Sequence, residues 1–137
     1  NSLMNYGVIP IVNENDALAV EEIKVGDNDT LSALLATVIK ADLLILVSDI
    51  DGLYTKNPHD YKDAKIIRYV EVVNEEIEKM AGGSSSELGT GGMMTKIKAA
   101  KIVNENGCHM VIVSGNNHEC LINIFNEKEN GTWFQAK

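Results

Sequence analysis

The sequence predicts an α/β domain with a largely parallel sheet, and three observations carry that prediction. Short apolar runs alternate with stretches of helical spacing along the chain. The cleanest run, Asp42 to Asp49 (DLLILVSD), has an unbroken apolar centre, as expected of a parallel strand covered on both faces. Polar clusters, NEND, SDIDG and SGNN, fall at the carboxyl ends of the apolar runs, where such sheets bind ligands.

Each element has its own warrant. Gly7 to Asn13 (GVIPIVN) is an apolar run with the look of a buried strand ending at Asn13, although Pro10 weakens it. After NEND, VEEIKVGDNDT suits a short hairpin or excursion. Leu31, Leu34, Leu35, Val38 and Ile39 then fall at helical spacing, with Asp29 or Thr30 as the expected cap. Asp51 to Lys65 (DGLYTKNPHDYKDAK) is polar, turn-rich and long for a connection, so it is either a mobile surface loop or a functional one. Ile66 to Val73 suits a further strand. Asn74 to Met80 reads as a short helix capped by Asn74, with acids in its first turn and Gly82-Gly83 as its stop. A helix follows from about Met93 to Asn106, with Met93, Ile97, Ala100 and Val103 on its inner face and Gly107 ending it. His109 to Ser114 makes another strand, and His118 to Phe125 a last helix.

Composition narrows the function classes. The chain has 137 residues, a mass of 15.0 kDa and 45% hydrophobic content, enough for one domain with a real core. A formal charge of −8 and a pI near 4.8 argue against a nucleic-acid surface, because neutralising phosphates takes clustered lysine and arginine. No apolar stretch is long enough to span a membrane. The first residues carry neither a secretory pattern nor an initiator methionine, and read as the middle of something longer. Cys108 and Cys120 fit neither a disulfide framework nor a metal knuckle, which points to a reducing cytoplasm. The adjacency of Cys108 and His109 is weak evidence for a metal or a nucleophile, since strand neighbours point to opposite faces.

The stretch ELGTGGMMTK, Glu87 to Lys96, packs glycines and hydroxyls ahead of a lysine. It is not a Walker loop, which needs glycine immediately before its lysine, and it lacks the third glycine of a dinucleotide fingerprint. Gly89, Gly91 and Gly92 would still let backbone N–H groups approach an anion at a helix N-terminus, with Lys96 in the first turn. On composition the alternative, a glycine loop before a helix with a surface lysine, stands equally. The acids pose a similar choice, in which a turn and a helix cap are the favoured reading of the residues in isolation. Asn13, Glu14, Asn15 and Asp16, then Asp27, Asn28 and Asp29, suit an ammonium group, a metal or a lysine, or else a turn and a helix cap. Asp49 and Asp51 suit a hard cation, or only a turn before Gly52. Tyr54 reads as packing.

Taken together, IPIVNENDALAVEEIKVGDNDTLSALLA (Ile9 to Ala36), LLILVSDIDGLYTKNP (Leu43 to Pro58) and GTGGMMTKIKAAKI (Gly89 to Ile102) resemble the amino-acid kinase superfamily and, within it, the glutamate 5-kinase family. They occur in that family's order, and the likeness runs over essentially the whole chain to GTWFQA. The paired NEND and GDND motifs are those of the glutamate branch. The resemblance implies a three-layer sandwich like that of carbamate kinase, incomplete at its N-terminal side. Residues 1–137 would be the carboxyl-terminal part of one kinase domain, containing the nucleotide-binding half and part of the glutamate site. A glycine-rich turn with a second phosphate-contacting lysine and a substrate-binding serine would lie upstream of Asn1.

The implied reaction is transfer of the γ-phosphoryl group of ATP to the side-chain carboxylate of L-glutamate, the first step of proline synthesis. Asn13, Asp16 and Asn28 would bind glutamate. Ser48, Asp49 and the loop Thr90, Gly91, Gly92, Met93, Met94, Thr95 and Lys96 would bind nucleotide. Lys96 would stabilise the transferring phosphoryl group and Asp29 would orient lysines around it. The resemblance further implies ATP with Mg2+, feedback inhibition by proline, a homo-oligomer and a cytoplasmic location. The alternative function is a non-catalytic module, or an inactive fragment, that keeps the pocket without turnover.

Overall fold

A computed structural model describes residues 5–13, 26–82, 92–128 and 131–137. Among the described residues, helix α1 (Asn28–Ile39) starts two to three residues earlier than the sequence suggested, because Asp27 is the cap. Asp27 has extended backbone, and its carboxylate accepts from the Thr30 amide at 2.7 Å and the Thr30 hydroxyl at 2.8 Å. Asp29, expected with Thr30 as a cap candidate, is thereby left free inside the first turn. At the other end Lys40 adopts a left-handed conformation that returns its N–H to the Ala36 and Thr37 carbonyls.

Strand β1 (Leu43–Ser48) coincides with the apolar run that predicted it. Two short strands, β2 (Leu53–Tyr54) and β3 (Ile66–Ile67), form a separate antiparallel pair. Strand β4 (Tyr69–Val70) belongs to the main sheet. The single strand expected over Ile66 to Val73 is thus two, divided at Arg68 between different sheets. Helix α2 (Glu75–Ala81) has its predicted cap: the Asn74 side chain accepts from the Glu76 and Ile77 amides, both at 3.1 Å. Helix α3 (Met93–Glu105) and strand β5 (His109–Ser114) lie where expected. Helix α4 (Cys120–Phe125) starts two residues later than the reading from His118. Strand β6 (Thr132–Phe134) was not anticipated, since three residues are too few to show a period.

The main sheet runs β1-β5-β6-β4. Strands β1 and β5 pair in parallel from Leu43 with His109 to Ser48 with Ser114. Strand β6 is antiparallel to β5 and parallel to β4, so the sheet is mostly parallel. Alternate residues serve opposite faces. Leu46, Met110, Ile112 and Phe134 join Ala33 and Ala36 of α1 and Ile97, Ala99, Ala100 and Val103 of α3 in the larger core. Small alanines on both helices allow them to pack closely over the sheet. On the other face, Val111 and Val113 gather Leu43, Ile45 and Trp133 under Cys120 and Ile124 of α4. Helices, sheet and helix make three layers, as the resemblance implied.

One expected strand is absent. Residues 8–13 have no strand pairing, and Ile9 and Ile11 are 91% and 97% exposed. A buried strand needs a neighbour for its backbone groups and cover on both faces; no described residue supplies either, and Pro10 removes one donor outright. Of the hairpin or excursion expected over Val20 to Thr30, residues 20–25 lie outside the described residues, as does most of NEND, whereas Asp27 caps α1 and Asn28, Asp29 and Thr30 form its first turn, so that end is helix.

Two buried polar side chains hold the site-forming segments to this frame. The Thr132 hydroxyl accepts from the Leu53 amide at 2.8 Å and donates to the Ile67 carbonyl at 2.6 Å, tying the β2–β3 pair to β6. The Asn104 amide donates to the Cys108 carbonyl at 3.0 Å, joining α3 to the start of β5. Cys108 itself is buried, and burial pushes its thiol above the ordinary range, so it remains a neutral packing residue.

Candidate active site

The carboxyl ends of β1 and β5 lie side by side, with Ser48 opposite Ser114 and the Gly115 amide bonded to the Ser48 carbonyl at 2.8 Å. Beyond β1 the chain turns through Asp49, Ile50 and Asp51, and the N-terminus of α3 comes up against that turn. Between them is a cavity of about 360 Å³ lined by Ser48, Asp49, Asp51, His59, Gly92 and Lys96, with Ile50, Pro58 and Met93. A second cavity of about 430 Å³ shares those last three residues and continues between the 50–61 segment and α2. Its walls include Leu53, Tyr54, Tyr61 and Met80. The two form one cleft, with Lys96 and two aspartates at one end and, at the other, aromatic and apolar side chains beside Lys56 and Lys79.

The polar end is organised around Asp29. Its Oδ2 accepts from Lys96 Nζ at 3.1 Å and from the Thr95 hydroxyl at 2.6 Å. The side chains of Lys96 and Asp29 are only 13% and 21% exposed, so this pair is screened less than a surface one. The glycine loop therefore does not end in a mere surface lysine. Helix α3 delivers Lys96 into a cleft, and a carboxylate from α1 holds it there. Ser48 Oγ donates to Asp49 Oδ1 at 3.0 Å.

Tyr54 is more than packing. Its hydroxyl donates to both oxygens of Asp51, at 2.9 and 3.0 Å, and its pKa is raised by burial first and by Asp51 second. Asp51 faces one cavity and Tyr54 the other, so this pair stands at their junction. Sequence reasoning missed Tyr54, Tyr61 and Met80 as cleft residues. The available signal was the unusual length of the Asp51–Lys65 connection, which had no periodicity to say which side chains turn inward.

The structure brings together Asp29, Thr95, Lys96, Ser48, Asp49, Gly92 and Met93 among the residues singled out by sequence. Asn13 and Asn28 are exposed and line neither cavity, and Met94 points elsewhere, 46% exposed. Asp16, Thr90 and Gly91 lie outside the described residues.

The sequence profile of the amino acid kinase family matches residues 1–114, the greater part of the chain. The chain belongs to the amino acid kinase family. Among curated members it is 59% identical, over its whole length, to the glutamate 5-kinase of Clostridium acetobutylicum. It is 54% identical over 99% of its length to the glutamate 5-kinase of Clostridium tetani. It spans 51% of each of those proteins. Among solved structures, carbamate kinase from Giardia lamblia bound to AMP-PNP superposes with a TM-score of 0.61. That match covers 81% of this chain and 32% of the other at 19% identity, and shows a common fold. The three-layer arrangement of this amino acid kinase family member is thus a shared one.

Proposed function

We propose that residues 1–137 are the carboxyl-terminal part of a glutamate 5-kinase domain, and that the parent protein phosphorylates the side-chain carboxylate of L-glutamate. The observation that carries this reading is the 59% identity to a glutamate 5-kinase along the entire chain. The cleft offers groups suited to the nucleotide part of the reaction.

The end walled by Tyr54, Tyr61, Leu53 and Met80 suits a nucleotide base. The other end suits the phosphates: backbone at the start of α3 and the ammonium of Lys96 both offer positive charge. In the transfer, a glutamate carboxylate oxygen forms a bond to the γ-phosphorus of ATP as the bond from that phosphorus to the bridging oxygen breaks. The products are an acyl phosphate and ADP. The attacking carboxylate is ionised at neutral pH, so no general base is required. Catalysis is then positioning and charge stabilisation. Lys96 would face the charge that develops on the transferring group, and Asp29 would fix where its ammonium sits. Asp16, Asn13 and Asn28 would contribute to the glutamate site.

Magnesium accompanies ATP in this reading. The side chains of Asp49 and Asp51 in the polar cavity are hard oxygen donors, and a pair of carboxylates completed by phosphates is a usual way to hold this ion. Bound there, it would neutralise phosphate charge. The reading also places the parent in the cytoplasm and makes proline inhibition and self-association properties to examine in it. No helix among the described residues is long and apolar enough to cross a membrane.

The experiment is product trapping. With magnesium-ATP and L-glutamate, the full-length parent should yield an acyl phosphate that hydroxylamine converts to the γ-glutamyl hydroxamate. Aspartate in place of glutamate should yield little. Equal hydroxamate from both amino acids, or none from glutamate, would contradict the assigned substrate.

A further inference from the structure

Thr95 sits at the third position of α3, and its hydroxyl is the middle of an unbroken hydrogen-bond chain. The Gly92 amide donates to Thr95 Oγ1 at 3.4 Å, closing one half of a capping box at the helix start. Oγ1 has one proton and two acceptors within reach, the Asp29 carboxylate at 2.6 Å and the Gly92 carbonyl at 2.8 Å. The shorter contact is to a charged acceptor, and charge-assisted bonds are the stronger ones, so the proton goes to Asp29. The oxygen that receives it, Oδ2, is the same one that accepts from Lys96. Thr95 and Asp29 are 66 positions apart in sequence, so this is a tertiary contact that α1 and α3 must both be in place to make.

We propose that Thr95 is a positioning residue: its hydroxyl fixes the rotamer of Asp29, and through Asp29 the position of the Lys96 ammonium, at the end of the glycine loop. The inference rests on the kinase reading of this cleft, but it assigns Thr95 a task other than contacting nucleotide. Lys96 has several rotatable bonds, and its anchor is one carboxylate oxygen. A carboxylate free to turn would leave the ammonium poorly placed, and a displacement of about an ångström at a reacting centre costs up to about a hundredfold in rate. Glutamate affinity would change little, because the groups that bind it are elsewhere.

Thr95→Val keeps the shape and removes the hydroxyl, whereas Thr95→Ser keeps the hydroxyl. In the full-length parent, Thr95→Val should lower kcat by about ten- to a hundredfold while KM for glutamate stays within about twofold, and Thr95→Ser should recover most of the rate. A rise in KM for ATP at unchanged kcat would overturn the proposal and make Thr95 a nucleotide contact. Equal losses in both variants would overturn it too, by showing that the methyl group, not the hydroxyl, matters. A second readout does not depend on turnover. Under limiting acetic anhydride, mapped by peptide mass spectrometry, Lys96 should acetylate faster in Thr95→Val than in the parent, and Thr95→Ser should restore the parent rate. Unchanged labelling would overturn the coupling even where the parent fails to phosphorylate glutamate, and that failure would count against the kinase reading alone.

Discussion

Lys96→Ala in the full-length parent should lower kcat for glutamate phosphorylation by about a thousandfold or more, with glutamate binding nearly unchanged. The size follows from what a single preorganised cation contributes to phosphoryl transfer, where it faces charge on the transferring oxygens and little covalent chemistry is left for the protein. The fold should tolerate the change. Asp29 would keep its bond from Thr95, and the inner face of α3 is built from Ile97, Ala99, Ala100 and Val103, none of which is touched. Cooperative unfolding therefore accompanies the loss of rate in the expected result. Steady-state kinetics beside glutamate binding by calorimetry decide it. Transfer within about tenfold of the parent would show that Lys96 only completes an ion pair.

Gly131→Ala should be the most damaging small substitution in the frame. Gly131 has φ +74, in the left-handed region that favours glycine, and an added Cβ would run into the Ile112 carbonyl of β5. Backbone in the middle of a sheet cannot step aside. The expected cost is about 4 kcal/mol or more, in the range reserved for core damage, because β6 and the Thr132 link to the β2–β3 pair would be displaced together. Gly107→Ala is the matched control. It has φ +76 but nothing within 4 Å of the added carbon, so it carries only the conformational strain, about 1 kcal/mol. Urea denaturation of the two variants should separate strain from collision. Similar midpoints would mean that β6 is less firmly seated against β5 than the structure has it.

Much of this architecture could be read from sequence, for identifiable reasons. β5 is buried along its centre and β1 is mostly covered, only Val47 of its apolar residues being exposed, and cover of that kind leaves an apolar run with nothing to imitate it. Asn74 and Gly107 marked their helix ends because capping chemistry is local. The short elements were illegible. β2, β3, β4 and β6 are two or three residues long, and their pairing is decided by distant groups such as Thr132, whose partners Leu53 and Ile67 are 79 and 65 positions away. Residues 8–13 misled because an apolar run states a preference for burial without naming the neighbour that would provide it.

The candidate site divides along the same line. Lys96 and the glycines were visible as a motif, but composition could not choose between an anion site and a loop. What the structure adds is the approach of Asp29 and Thr95 from two helices to one point, which holds Lys96 beside the end of β1. Asp29 itself looked like a cap candidate until Asp27 was seen to take that task. The tyrosines of the cleft were hidden inside a long polar connection, where no period tells an inward side chain from an outward one.

The central claim is that this chain carries the nucleotide end of a glutamate-phosphorylating site. Its most direct test is glutamate-dependent ADP release from magnesium-ATP, measured on this chain and on the full-length parent under the same conditions. The account predicts release by the parent that requires glutamate, and none by residues 1–137 alone. No glutamate-dependent release by a well-folded parent would contradict it.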